Sequence, residues 1–451
     1  MSGRLKMNCE KQRSTTLLPG LCPDIIYRRL NNMPGTIRWT ETPDLSKADL
    51  GIPRLADQKI TELYTGEPLP EKGAFSMHPH ITYFKGTLFA HWSVHLADED
   101  SPGQYVRYAF SKDLGQTWSG TKPLFPPMET PLRNPDIKDG DGNPCRGHRS
   151  HDRCGSGLQN DTESWANDLC GHCHLMLCSN GFALAGGRLW ALADAAKGVN
   201  WPGIGRLARE LKEDGSSGAL MWLNQPHEKL EDIFSVALNK ELYSDSGYDS
   251  GIAEEIIEYL KDPRHMTQWD MLPQGWPQWD GKTSRDWWLE YADRHGGDGC
   301  GEPTRAYTAK DGTMVRLWRS KSGVQNAHFS VDGGRSWSEV IPTQYPDTGA
   351  RTSAGNLPDG RAYIIGNPGF RRFQLCLSVS EDGYLFDRNF IVACEPRVMK
   401  YQGRAKGRGF HYPDSCVAGE FLFVIYSLNK EDILVSKIPL AALDLQRTVS
   451  T

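Results

Sequence analysis

The chain has 451 residues, with 51 basic against 56 acidic side chains and a formal net charge of −5. That balance, with no basic block or arginine-rich helix, offers no footprint for nucleic acid, and the lack of any run of about 18 apolar residues argues against a membrane span. Its 46 glycines, 14 tryptophans and 10% aromatic content, with few long helical patterns, fit an all-β chain rich in tight turns.

The N-terminal stretch MSGRLKMNCEKQRSTTLLPGLCPD has basic residues but no apolar core of a secretory signal, which leaves the compartment unassigned with a cytoplasmic leaning; the other reading is a sequence that lacks its true start. Eleven cysteines cannot all pair, which agrees with a reducing compartment. Residues 1–65 are expected to form an N-terminal segment that can contribute to closing the fold, and residues 66–445 a single domain. That domain opens with FSMHPHITYFKGTLFAHWSVH (75–95), which holds four of the 13 histidines, at 78, 80, 91 and 95. Residues two apart share a face of a strand. Alternation therefore predicts that His78 and His80 point the same way, and that His91 and His95 do too.

SKDLGQTW follows at Ser111, SVDGGRSW at Ser330 and a decayed copy, SEDGYLF, at Ser380. Each follows an alternating apolar strand, and S-x-D-x-G describes a hairpin turn. The Asp accepts backbone N–H groups across the turn, while Gly supplies a positive φ. The second and third copies lie roughly 50 residues apart, the length of one four-stranded propeller blade. The architecture predicted is a single β-propeller of six or seven blades, with seven preferred.

Two insertions interrupt it. Residues 140–180 hold CRGHRSHDRC and CGHCHLMLC, a density of soft ligands that suits a structural zinc site on Cys145, Cys154, Cys170 and Cys173. His148, His151, His172 and His174 are alternative ligands; disulfides and free thiols are the other readings. Such a metal would stabilise a loop, and no cofactor is expected for catalysis. Residues 225–298 read as a partly helical excursion, because GIAEEIIEYLKD (251–262) places Ile252, Ile256 and Leu260 on one helical face. Its tryptophans read as packing.

The boxes resemble those of the sialidase superfamily. Sialidases grip a substrate carboxylate with three arginines, because a guanidinium fits a carboxylate in bidentate geometry. On that resemblance EPTRAYTAKDGTMVRLWRS offers Glu302 with Arg319, and RRFQLCLSVSEDG offers Arg371 or Arg372, with Arg372 in better register. The first arginine has no counterpart, since Met77 and His78 occupy its neighbourhood. No tyrosine–glutamate nucleophile pair stands out beyond Glu302 itself. A wider set of segments looks like the propeller enzymes that attack terminal L-rhamnose linked α-1,4 to glucuronic acid in gum-arabic-type arabinogalactan. These run from HPHITYFKGTLFAHWSVH through GRLAREL and PDTGARTSAGNLPDGRAYIIGNP to RGFHYPDS and VIYSLNKEDI. That group includes both lyases and α-L-rhamnosidases.

The resemblance implies a uronate-containing oligosaccharide or polysaccharide substrate; a monomer is the expectation, with no nucleic-acid or membrane partner on the charge and hydropathy above. A uronate lyase removes the C5 proton and expels the group on O4, so the developing enediolate needs fixed positive charge, which Arg319 and Arg372 would supply. Histidine suits the base. We expect His78 as that base and His95 as a supporting acid or orienting group. His80 (a substrate contact) and His91 are the runners-up. Tyr412 could donate the leaving-group proton, and Arg209 could contact substrate. The alternatives are an α-L-rhamnosidase acting on the same bond, an exo-sialidase, and a non-catalytic propeller that binds glycans or proteins.

Overall fold

The computed structural model describes residues 37–69, 72–99, 101, 103–128, 175–197, 203–223, 239–244, 249–265, 302–320, 322–369, 371–403 and 405–444. Nearly all the regular structure there is antiparallel β, in sheets built from neighbouring strands. The first sheet is β3 (Phe75–Phe84), β4 (Thr87–His95), β5 (Tyr105–Ser111) and β6 (Lys122–Phe125). The second is β7 (Leu175–Ala185), β8 (Arg188–Lys197), β9 (Gly203–Leu211) and β10 (Ser217–Trp222). In the third, β11 (Tyr307–Thr308), β12 (Met314–Trp318), β13 (Val324–Ser330) and β14 (Ile341–Pro346) follow one another. The fourth runs β15 (Ser353–Asn356), β16 (Ala362–Gly366), β17 (Gln374–Ser380) and β19 (Arg388–Cys394).

The fifth sheet takes three strands from the end of the chain and one from its beginning. β20 (Phe410–Ala418), β21 (Phe421–Leu428) and β22 (Asp432–Pro439) are completed by β2 (Lys59–Tyr64), which pairs antiparallel with β22. The short β1 (Arg38–Trp39) lies parallel between β14 and β18 (Leu385–Phe386), and the two strands extend the third sheet beyond its four-stranded unit. Two hairpins show why the strands turn where they do. Lys85–Gly86 joins β3 to β4 and Gly186–Gly187 joins β7 to β8, all four residues at positive φ. Such two-residue turns match the right-handed twist of the strands.

Neighbouring sheets bury their apolar faces against each other. Phe89, Val106 and Leu124 of the first sheet pack with Leu189, Leu207 and Trp222 of the second. On its other side Leu88, Ala90 and Trp92 meet Phe423, Ile425 and Val435 of the fifth. The fifth in turn packs Leu422 and Tyr426 on Ile365, Leu377 and Phe390 of the fourth. Each large apolar side chain buried in this way contributes about 1.5–3 kcal/mol. The opening strand of each sheet lies along a common inner side, with β11, β15, β20, β3 and β7 touching in that series. Five four-stranded units are present among the described residues, so the predicted count of six or seven blades is not reached within them.

The helical excursion is present in part. Helix α1 (Lys240–Ser244) is short, and α2 (Ser250–Lys261) is capped by the Asp249 carboxylate, which accepts from the Ile252 N–H. Ile252, Ile256 and Leu260 are buried, as their spacing predicts, against Ala183, Ala185 and Trp190 of the second sheet. The excursion's tryptophans and the four proposed zinc ligands, Cys145, Cys154, Cys170 and Cys173, lie outside the described residues. Cys178, from the same cysteine-rich stretch, is buried on β7. Among the described residues no helix is long and apolar enough to cross a membrane.

The three boxes occupy equivalent places, each beginning at the last residue of the third strand of its sheet: Ser111 of β5, Ser330 of β13, Ser380 of β17. In each, the serine hydroxyl donates to the Asp carboxylate at 2.8 Å and accepts a glycine N–H at 2.8 Å. The Asp then accepts the N–H of Thr117, Ser336 or Tyr384 across the turn. Decay of the third copy has removed the tryptophan but not this network. Ser330 is buried, so Ser330→Ala leaves the Gly334 N–H without its acceptor. Such a loss costs about 1–3 kcal/mol; we expect a melting temperature lower by several degrees, read by calorimetry, with the far-ultraviolet dichroism unchanged.

Candidate active site

Two of the inner strands carry the same proline-bearing irregularity. In β3, Met77 pairs with Ser93 and His80 with His91, so one extra residue is inserted at His78–Pro79. In β20, His411 pairs with Ser427 and Asp414 with Ile425, so one extra residue is inserted at Tyr412–Pro413. His78 and Tyr412 have φ of 53° and 48°, a left-handed conformation that costs a residue with a Cβ about 1–2 kcal/mol. A bulge bends the strand and re-aims its side chains. It also accommodates proline, which has no N–H for the ladder.

The bulge corrects the expected alternation. Met77 and His80, not His78 and His80, share a face with Ser93 and His91. His91 and His95 lie in regular register on β4, as expected, but have separate partners. His91 Nε2 bonds the Gly181 carbonyl at 2.9 Å, whereas His95 Nδ1 accepts the N–H groups of Ala97 and Asp98, both at 3.1 Å. His95 thus orients the turn that leads to Glu99.

The Tyr412 side chain is the centre of the cluster. Its hydroxyl donates to Glu302 Oε1 at 2.9 Å and accepts from Arg319 Nη1 at 3.1 Å, while the same nitrogen donates to Glu302 Oε2 at 2.9 Å. The local fold fixes Glu302 beside Arg319, because the Arg319 N–H bonds the Glu302 carbonyl and Pro303 bridges Trp318. The Arg372 guanidinium lies 5.8 Å from the Tyr412 ring centre. It is braced by His411 Nδ1 at 2.9 Å and the Gly349 carbonyl at 2.8 Å. Gly409, at φ 138°, lets β20 approach, since a Cβ there would collide with the Arg372 backbone. The ring of His78 lies 5.2 Å from that of Tyr412. Its Nε2 stands 3.5 Å from Glu99 and its Nδ1 3.3 Å from the Cys178 thiol. Glu99 also accepts from Lys430 Nζ at 2.6 Å.

A tyrosine–glutamate pair is therefore present, contrary to the sequence expectation. Glu302 comes from the segment before β11 and Tyr412 from β20, and only the fold joins them. His78, Glu302, Arg319, Arg372 and Tyr412 are brought together. Arg209 is not among them: on β9 its guanidinium bonds the carbonyls of Leu124 and Gly218. His80 takes a neighbouring position, with Nδ1 3.4 Å from Asp414 and its ring 5.4 Å from His91.

Sequence reasoning missed Arg351 and Asp347, both buried at 4% exposure. Arg351 precedes β15 and feels the charges of Asp414 and Glu302. It adds a third guanidinium from a different part of the chain than the expected first arginine. Only the segment GARTSAGN, within the resemblance, could have drawn attention to it.

Burial and charge set the protonation states. Burial tends to raise the Glu302 carboxyl, but Arg319 and the hydrogen bonds from Arg319 and Tyr412 outweigh it and hold it below its usual range. Burial, with the Glu302 charge, pushes the Tyr412 hydroxyl far up, so it keeps its proton. Burial lowers His78 to about 4 and also lowers His80, His91 and His411, which makes neutral imidazoles at pH 7. Asp347 is pushed up to about 7 by burial, against the pull of Ala350 N–H, Arg372 and Arg319. The cluster thus has fixed positive charge, one ionised carboxylate at the tyrosine, a neutral base and a carboxyl poised to titrate.

Comparisons place this geometry in context. The family described as a BNR repeat-like domain matches residues 274–424. No curated protein matches. A solved sialidase is 22% identical over 90% of this chain with a TM-score of 0.63, and the chain spans only 35% of that protein. Trypanosoma rangeli sialidase is 12% identical over 86% of this chain and 60% of its own, with a TM-score of 0.45. The first of these likenesses gives a sialidase-like fold.

The titrations predict the acid response. An imidazole with a depressed folded pKa binds no proton while its unfolded counterpart does, so its stabilisation is present above 6.5 and is lost as pH falls, for His78 toward about 4. Asp347 works the other way: its raised pKa makes the folded state gain stability as pH falls from about 7 toward 3.8. We expect urea midpoints to fall from pH 7 to pH 5, and to fall more steeply in Asp347→Asn. Parallel profiles for the two proteins would contradict the placement of Asp347.

Proposed function

We propose that the protein is a carbohydrate-active enzyme that holds the carboxylate of an acidic sugar on Arg319 and Arg372 and cleaves the adjoining linkage at Tyr412. The observation that carries this reading is the Tyr412 hydroxyl, held between Glu302 at 2.9 Å and Arg319 at 3.1 Å, with His78 and Arg372 against its ring. Tyrosine, imidazole and guanidinium gathered around one point suit proton transfer beside a negative charge. The five four-stranded units suit the blades of a propeller, with β2 closing the last.

Elimination is the reaction we favour, with terminal L-rhamnosyl-α-1,4-glucuronate as the substrate that the sequence resemblance implies. The arginines neutralise the uronate carboxylate, which acidifies the C5 proton. Neutral His78 takes that proton; Glu99 lies 3.5 Å from its Nε2, so Nδ1, beside the weak donor Cys178 at 3.3 Å, is the nitrogen that exchanges partners. The C5–H electrons form the C4–C5 double bond as C4–O4 breaks, and Tyr412 gives its proton to O4. Arg319, already donating to that oxygen, stabilises the phenolate left behind. The products are free rhamnose and an unsaturated uronate.

The Tyr412–Glu302 bond favours one further reading, hydrolysis. A tyrosine whose proton can pass to a carboxylate is an activated nucleophile, and sialidases use a tyrosine in that role. In that scheme Tyr412 attacks the anomeric carbon as the bond from that carbon to the departing oxygen breaks; the phenol proton passes by way of Glu302 to that oxygen, and water then displaces the tyrosine and releases the sugar. It would serve an α-L-rhamnosidase or a sialidase.

Incubation with gum arabic separates these. Elimination yields rhamnose together with rising absorbance of an unsaturated uronate, and hydrolysis yields rhamnose alone. We expect both signals from the wild type and a loss of at least about 100-fold in kcat for Tyr412→Phe. Neither product from the wild type would remove both rhamnose-releasing schemes.

A further inference from the structure

On the Asp414 side of Arg351 lies a cavity of about 60 Å³ lined by His80, Arg264, Arg305, Arg351, His265 and Asp414. Its charges do not balance. Arg305 is paired with Asp414, and Arg264 with Asp262. Arg351 is left over, buried, with its Nε and Nη1 lacking a hydrogen-bond partner among the described residues. A guanidinium stays protonated, and a buried charge without an acceptor costs several kcal/mol. The second orphan is His80. Its Nδ1 faces the ionised Asp414 carboxylate at 3.4 Å, so the ring proton belongs there. Nε2, buried and without a partner among the described residues, is then a lone pair rather than a donor.

The two orphans ask for different things: Arg351 needs an anionic acceptor, and His80 Nε2 needs a proton donor. We propose that this cavity binds a small oxyanion that also carries a hydroxyl, of the hydrogenphosphate class. An inorganic ion has that chemistry, and so does a carboxylate with a neighbouring hydroxyl on an acidic glycan. The oxyanion oxygens accept from Arg351 while the hydroxyl donates to His80. Sulfate has the same shape but no proton at neutral pH, so it satisfies only the arginine. The site does not depend on the reaction assigned to Tyr412, since occupancy is read without turnover.

The test is calorimetric titration and thermal melting of the full chain with sodium phosphate, sulfate or chloride at pH 7 and matched ionic strength. The site predicts saturable phosphate binding at least about tenfold tighter than sulfate, with no saturable response to chloride. Sulfate also controls for the general stabilisation that both salts give by exclusion from the surface. Arg351→Gln should abolish the phosphate response, whereas Lys85→Gln, an exposed lysine outside the cavity, should keep it. Equal responses to phosphate and sulfate in the wild type would overturn the proposal whatever the variants do, as would an undiminished phosphate response in Arg351→Gln. Where phosphate raises the KM for a glycan, the glycan's own acidic group occupies the site. An unchanged KM assigns it to a free ion.

Discussion

Two bulges on facing inner strands are the constraint on which the rest of the site depends. His78–Pro79–His80 in β3 and Tyr412–Pro413–Asp414 in β20 solve the same problem in the same way. In each, a left-handed residue precedes a proline that needs no partner in the ladder. Equivalent residues then meet in pairs: His78 reaches Tyr412, and His80 reaches Asp414. A regular strand would have sent one member of each pair toward a neighbouring sheet. The conformational strain at two non-glycine residues is tolerated because the four-stranded sheets around them are closely packed.

Much of the framework was legible in the sequence because its signals are local. A serine, an aspartate and a glycine at fixed offsets build the box turn wherever they occur, and even the copy without tryptophan keeps its hydrogen bonds. The face of α2 follows from a 3.6-residue period in the same way. The site was legible only in part. His78, Glu302, Arg319, Arg372 and Tyr412 were each identified, but the Tyr412–Glu302 pairing is a contact between residues 110 apart. Nothing in either segment announces it. The alternation argument failed at His78 because period-2 reasoning assumes an unbroken ladder, and the H-P-H and Y-P-D triplets were the available warning. Arg351 and Asp347 carry no local signature; their importance comes from burial. Arg209 misled because an arginine that bonds backbone carbonyls looks, in sequence, like one that waits for a ligand.

The charges are arranged so that neither sign is neutralised outright. Glu302 keeps its charge through Arg319, and Asp414 through Arg305, while the four buried imidazoles give theirs up. Arg351 feels the charges of both carboxylates and lines the neighbouring cavity, which couples that cavity electrostatically to the tyrosine centre. Preorganised guanidinium groups in a partly buried site are worth more than the same groups in solution, which is what the proposed acidic sugar would require.

The most direct test of that account is the affinity of the Tyr412→Phe protein for a glucuronic acid glycoside and for the same glycoside with its carboxyl reduced to an alcohol. A charge-assisted hydrogen bond contributes about 1.5–3 kcal/mol, so the acid should bind at least roughly tenfold more tightly, with the difference removed by Arg319→Gln or Arg372→Gln. Equal affinity for the acid and the alcohol would mean that these arginines do not grip a carboxylate.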